Sequence, residues 1–311
     1  MELAQKTREV VKARLSVPND YSIVFAGSAT ECWEMIAQSL TRSVSQHFYN
    51  GSFGEKWFMA ADALHQAIAT PFDINEQLPL HETVDADVVC VTQNETSNGT
   101  QVDMQRIGEL REKTDAILAI DATSSMAGQL LDFQLADVWY ASVQKCFGLP
   151  AGMAVMILSP NAVKRAAAIA DRKHYNSLLK IIENWENNQA PYTPNVLDLY
   201  LLYRSQTRAK PIHAIHKKLE RRYEKWTRLI EGLNSLDWLV ANEHVRSTTV
   251  LTLSHTDPKK LLEKAESAGF VFGKGYGRWK DTTIRMANFP AIKEGEIDKA
   301  IQFLGKIKAS V

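Results

Sequence analysis

Short apolar runs alternate with stretches of helical spacing through the first two hundred or so positions. Ile23-Val-Phe-Ala26, Val88-Val-Cys-Val91, Ile117-Leu-Ala-Ile120 and Val138-Trp-Tyr-Ala141 are rich in β-branched and aromatic residues, and each leads into a polar or Gly/Pro-containing turn. Runs of this kind read as strands buried on both faces. Between them, Cys32 to Leu40 and the Ala-rich Asn161 to Asp171 carry helical patterns. The alternation predicts an α/β fold: a mostly parallel central sheet with helices on both faces.

Further along, the pattern changes. Val196 to Trp238 has apolar residues at helical spacing among many Lys, Arg and Glu, and predicts long helices leading to a smaller domain. Ser247–Leu253 and Thr282–Met286 read as strands, Pro258–Gly269 and Glu294–Lys308 as helices. The expected division is a large α/β domain over 1–205 and a small C-terminal α+β domain over 206–311. Leu3, Val10, Val11, Ala13 and Leu15 predict an N-terminal helix. Lys173 to Pro191, with weak periodicity and several Asn, predicts an irregular helical connection. The basic run Lys217, Lys218, Arg221, Arg222 and Lys225 reads as a solvated helix face. Gly273-Lys-Gly-Tyr-Gly277 reads as a flexible turn.

Composition narrows the function classes. In 311 residues, 36 Lys and Arg balance 36 Asp and Glu, which argues against nucleic-acid and membrane-surface binding. No apolar run approaches the roughly 18 residues of a membrane span, and no signal-peptide core is visible at Met1. Three unevenly spaced cysteines make neither a disulfide framework nor a zinc site. The expectation is a soluble, cytoplasmic protein acting on small molecules.

Four polar segments carry the candidate chemistry. Lys145 follows a strand and precedes a Gly/Pro loop. Alone it reads as a surface lysine; at a buried strand end, lost hydration lowers its pKa and makes it a nucleophile capable of a Schiff base. Asp121 ends another apolar strand, where a helix N-cap is the plainer role. Ligands of open α/β sheets bind beyond the carboxyl ends of strands. An amine and a carboxylate aimed into one crevice suit pyridoxal phosphate, the lysine holding its aldehyde and the acid its ring nitrogen. Thr96 lies in a polar turn, within reach of the ring hydroxyl or engaged in ordinary turn chemistry. Small residues around Gly27, Ser28 and Ala29 before a helix form a phosphate cradle. The chain lacks the G-x-G-x-x-G and G-K-[ST] patterns there, which counts against NAD and ATP.

With these pieces in order, the chain resembles phosphoserine aminotransferase and its class V, fold-type I relatives. The resemblance rests on Val17 to Phe25, Gln93-Asn-Glu-Thr96, Asp121-Ala-Thr-Ser-Ser125, Gln144-Lys145 with Gly148 to Gly152, and Ile284-Arg-Met-Ala-Asn288. It implies a homodimer with active sites at the subunit interface, acting on an amino acid such as glutamate and a 2-oxo acid in serine biosynthesis. It implies that Lys145 carries the cofactor and shuttles the proton, and that Asp121 pairs with the ring nitrogen. Thr96 touches the ring hydroxyl, Phe53 stacks on the ring, and Ser28, Ala29 and Gln144 hold the phosphate. Thr193 reaches the neighbouring subunit's phosphate, and Arg285 clamps the substrate α-carboxylate. Gln144 stands where cysteine desulfurases usually carry His. The family's N-terminal segment, with its Gly-Pro turn and His-Arg pair, has no counterpart before the stretch Met1 to Leu15. Specificity for phosphoserine is therefore not supported by these residues. The alternatives are another class V reaction, a different transaminase or a lyase, and a truncated cofactor-binding protein without turnover.

Overall fold

The computed structural model describes residues 2–307. Its first part contains α1 (Glu2–Leu15), β1 (Ser22–Ala26), α2 (Ala29–Leu40), β2 (Val44–Tyr49), α3 (Ser52–Asp62), β3 (Gln66–Pro71) and β4 (Val88–Thr92). A small hairpin, β5 (Asn94–Glu95) and β6 (Thr100–Gln101), leads to α4 (Met104–Arg111), β7 (Ile117–Asp121), β8 (Val138–Ser142) and β9 (Ala154–Leu158). Helices α5 (Pro160–Ile169), α6 (Leu178–Glu186), α7 (Val196–Arg208) and α8 (Ile212–Glu231) follow. The last part is β10 (Asp237–Trp238), β11 (Val250–Ser254), α9 (Pro258–Ser267), β12 (Gly273–Lys274), β13 (Thr283–Ala287) and α10 (Glu294–Ile307).

Seven strands form the central sheet in the order β1-β9-β8-β7-β4-β2-β3. Strand β9 is antiparallel to both neighbours, and every other adjacent pair is parallel. Strands β1, β2, β4, β7 and β8 therefore all end at one edge. Every residue of β7, β8 and β9 is buried, as continuous apolar runs require. The smaller sheet is antiparallel, in the order β10-β11-β13-β12. Its core includes Leu251, Leu253, Ile284, Ile297 and Leu304. Helix α8 starts in the first core with Ile212 and ends in the second with Trp226 and Ile230. No helix among the described residues is long and apolar enough to cross a membrane.

Three expectations change. Residues 173–191 are not simply irregular, because Ser177 caps a regular α6 that buries Leu178, Ile181, Ile182 and Trp185 on one face. The buried stripe of α1 runs through Ala4, Thr7, Val11 and Leu15, and leaves Ala13 exposed. The basic run on α8 is not uniformly solvated. Arg222 is 0% exposed. Its guanidinium donates to Glu294 Oε2 at 2.8 Å, Ile292 O at 2.7 Å and Phe289 O at 3.3 Å. Lys225 bridges Glu294 and Asp298. The arginine ties α8 to the segment joining β13 and α10, a role that one-dimensional charge spacing does not reveal. Of the expected final helix, Lys308 lies outside the described residues.

Glu294 is half-exposed and keeps Lys225, so removing the buried arginine costs mainly its bonds to the carbonyls of Ile292 and Phe289, about 1.5–3 kcal/mol. Arg222→Ala is expected to lose stability of that order in urea unfolding. Arg221→Ala, on the exposed face, is expected to change it by less than about 0.5 kcal/mol.

Candidate active site

The carboxyl edge of the sheet gathers the segments singled out in the sequence. Asp121 is the last residue of β7, and Lys145 lies three positions beyond the end of β8. Thr96 follows β4 through the short β5 strand, Phe53 opens α3 just after β2, and Ser28 caps α2 just after β1. One cavity of about 660 Å³ is lined by Thr96, Lys145 and Arg285 together with apolar residues of the small domain.

Lys145 is half-buried, and its ammonium makes no hydrogen bond or ion pair among the described residues. Burial, and after it the charge of Arg285, pushes the amine below the usual lysine range. The Lys145 carbonyl accepts from Gly148 N at 3.0 Å. That turn places Gly148 at φ 72°, where a Cβ would lie 2.7 Å from Ala291 Cβ.

Asp121 is 5% exposed. Its Oδ1 accepts from Thr123 N at 2.8 Å, and no cation pairs with it among the described residues. Burial pushes its carboxyl up to about 6, the bonds to Thr123 work against that, and the nearby Glu95 adds to it. This is a carboxylate without the positive partner that would stabilise its charge.

A buried polar network fixes the loop after β4. Thr96 Oγ1 bonds Ser124 Oγ, and Gln93 Oε1 accepts from Ser125 Oγ. Glu95 is buried, its Oε2 accepting from Phe53 N at 3.1 Å and Gly54 N at 3.0 Å, and its Oε1 from Ser97 N at 2.9 Å. One carboxyl thus joins the start of α3, where Phe53 sits, to the loop that carries Thr96.

At the start of α2, Ser28 Oγ accepts from Glu31 N at 3.1 Å, and Glu31 Oε2 accepts from Gly27 N at 2.6 Å. Ala29 N donates to Ser142 Oγ at 3.1 Å. Gln144 is exposed beside Lys145. Thr193 is also exposed; it lines a smaller cavity of about 200 Å³ together with Gly27, Glu31 and Gly152. The Phe53 ring stacks on Tyr276, with centroids 5.1 Å apart. Arg285 donates from Nε to Lys274 O and from Nη1 to Thr96 O, both at 2.9 Å. The guanidinium therefore points across the domain junction toward the Lys145 side of the cavity.

Glu95, Ser142 and Tyr276 gave no separate signal in the one-dimensional pattern. Glu95 stands inside the Gln93–Thr96 motif, where a buried carboxyl needs several donors, and that requirement was its only readable clue. The contact of Tyr276 depends on a fold-back that no local spacing encodes.

Known proteins agree with this geometry. Residues 73–269 match the family model described as aminotransferase class-V. A phosphoserine aminotransferase of Rhodococcus opacus is 26% identical over 298 residues, covering 91% of this chain and 79% of the relative. A putative phosphoserine aminotransferase of Mycolicibacterium vanbaalenii is 27% identical, covering 95% and 82%. The crystal structure of a phosphoserine aminotransferase from Cytophaga hutchinsonii superposes with a TM-score of 0.94 at 30% identity, covering 98% of this chain and 88% of that one. With a family model matching well over half its length, the chain belongs to the class-V aminotransferases and is a pyridoxal-phosphate-dependent aminotransferase resembling phosphoserine aminotransferase.

Proposed function

We propose that this site transfers an amino group between an amino acid, with glutamate as donor, and a 2-oxo acid, using Lys145 and Asp121 as its catalytic pair. The observation that carries the reading is a half-buried, unpaired lysine just beyond one strand end, close enough to the buried carboxylate ending the neighbouring strand, Asp121, for that charge to act on its amine. Those two groups fit pyridoxal phosphate, because a protonated ring nitrogen supplies the cation that Asp121 lacks. When bound, the cofactor supplies an electron sink for the charge left at the substrate's α-carbon.

The chain's own residues supply the rest. The Lys145 amine, held below its usual range by burial, would hold the cofactor at its aldehyde and, once displaced by the substrate's amine, would be the free base that moves the substrate's α-proton. Asp121 holds the ring N–H. Thr96, oriented by Ser124, faces the ring hydroxyl. The amides of Ser28 and Ala29 at the start of α2 hold the phosphate, with Gln144 at its margin and Phe53 against the ring. Ser142 Oγ must then release Ala29 N or share it. Arg285 keeps Nη2 for the substrate carboxylate while Nε and Nη1 bond carbonyls.

A homodimer is part of this reading. Tyr175, Tyr192, Val196, Leu197 and Tyr200 are exposed apolar side chains beside Thr193, which supports burial of that surface against a second copy so that Thr193 reaches the neighbouring phosphate. We further take two working units; the expected boundary of 1–205 and 206–311 falls inside α7, so the division belongs at the break between α7 and α8. Buried, unpaired cysteines support a reducing, cytoplasmic setting. The likeness to phosphoserine aminotransferases supports a place in serine biosynthesis.

Lys145→Ala is expected to abolish the visible absorbance band that the wild-type protein develops with pyridoxal phosphate. It should also slow conversion of the cofactor by glutamate by on the order of 10²–10⁴-fold. An unchanged spectrum would refute the assignment of Lys145.

Asp121 yields a prediction about stability. Burial pushes its carboxyl up to about 6 in the folded chain, from about 3.8 in the unfolded one. The folded state therefore keeps the proton longer, and stability falls as pH rises between those values. Cofactor-free Asp121→Asn is expected to be more stable than wild type at pH 8, by roughly 2–3 kcal/mol, and equal to it below about pH 4. The same variant should bind pyridoxal phosphate more weakly. Urea unfolding at the two pH values checks the first claim and an absorbance titration the second.

The dimer is checked by sedimentation. Leu197→Glu is expected to shift the wild-type dimer to monomer, and a monomeric wild type would remove the proposed role of Thr193.

A further inference from the structure

The Gly273–Gly277 segment reads in sequence as a plain turn, yet it is packed into the site. Gly277, at φ 55°, lies so close to α3 that a Cβ there would sit 2.2 Å from Ser52 Oγ. A Cβ on Gly275 would meet Trp279 O at 2.2 Å and Lys280 O at 2.8 Å. Gly275 lets the segment fold tightly on its own backbone, and Gly277 lets it press against the helix that begins the Phe53 wall.

Tyr276 stands between them, with its ring held from several sides. It stacks on Phe53 at 5.1 Å and 18°. The Arg285 guanidinium carbon lies 5.3 Å from its centroid. Lys56 Nζ, from α3, donates to its hydroxyl at 2.6 Å. The carbonyl of Lys274, two residues earlier, accepts from Arg285 Nε. One short segment therefore fixes Arg285 by a carbonyl and by a ring face, while Thr96 O fixes it from the large domain.

We propose that Tyr276 is a positioning residue for substrate recognition: its ring sets the direction in which Arg285 presents Nη2 to a carboxylate. An arginine on a β-strand has several rotamers. An aromatic face and two carbonyls leave it one, so less entropy is lost when a carboxylate docks. The chemical class recognised is an α-carboxylate, and the contribution of Tyr276 is alignment, since its own hydroxyl is engaged by Lys56.

This inference rests on the proposed role of Arg285. The test is calorimetric titration of the cofactor-loaded protein with 2-oxoglutarate, alongside an absorbance titration with pyridoxal phosphate. Tyr276→Leu keeps an apolar, though smaller, side chain and removes the π face; it is expected to weaken 2-oxoglutarate on the order of tenfold, the scale of one desolvated cation–π contact plus lost alignment. Tyr276→Phe keeps the face and should stay within about threefold of wild type. Pyridoxal phosphate affinity should hold in both variants. Equal affinities in wild type and Tyr276→Leu, or equal losses in the Leu and Phe variants, overturn the positioning role alone. A wild-type protein that does not bind 2-oxoglutarate at all overturns the Arg285 assignment and this inference with it.

Discussion

The parallel pairing of the central strands governs this site. Strands β2, β4, β7 and β8 run parallel, and β1, antiparallel to the reversed β9, runs with them, so all five deliver their carboxyl ends to one edge. Backbone polar groups at that edge lose their ladder partners and must be satisfied by loops, helix starts and ligands. The amine, the carboxylate, the hydroxyl, the capped start of α2 and the aromatic wall all follow from that geometry. They come from segments more than one hundred residues apart in the chain, yet none needs an unusual loop to reach its place.

A second constraint is the cost of burying charge. Glu95 is fully enclosed, and burial raises its carboxyl above the usual range while three backbone N–H groups oppose the shift. Those bonds convert an electrostatic liability into a rigid link between α3 and the Thr96 loop. Asp121 is supported by Thr123 and, more weakly, by the Tyr140 hydroxyl, with no cation among the described residues, and Glu95 adds to the cost of ionising it. The two acids are both buried but oppositely provided for: one is satisfied by the fold and structural, the other is left in want of a cation. That contrast distinguishes the position suited to a protonated ring from its supporting frame.

The small domain acts through two arginines. Arg222, buried on α8, holds the segment before α10. Arg285, on β13, reaches across to Thr96 and is flanked by Tyr276. The first fixes the small domain internally, and the second carries that order to the crevice. Both spend guanidinium donors on backbone carbonyls, a use of planar, forked geometry that lysine cannot reproduce.

Much of this was legible in one dimension. Apolar runs bounded by polar turns determined the strands, because a strand buried on both faces tolerates few other residues. The order of Lys145, Asp121 and Thr96 among those strand ends pointed to the cofactor. Local spacing could not tell a buried arginine from its solvated neighbours, since Arg222 and Arg221 are adjacent and differ only in the direction each side chain takes from the helix. Nor could it distinguish a loose glycine turn from one that clasps the site, because Tyr276 meets Phe53 across more than two hundred residues of chain. The sequence set which segments are strands and which residues can react. Tertiary packing alone decided which charges are satisfied, which are left in need, and which aromatic faces meet, because those depend on distances that only the folded chain creates.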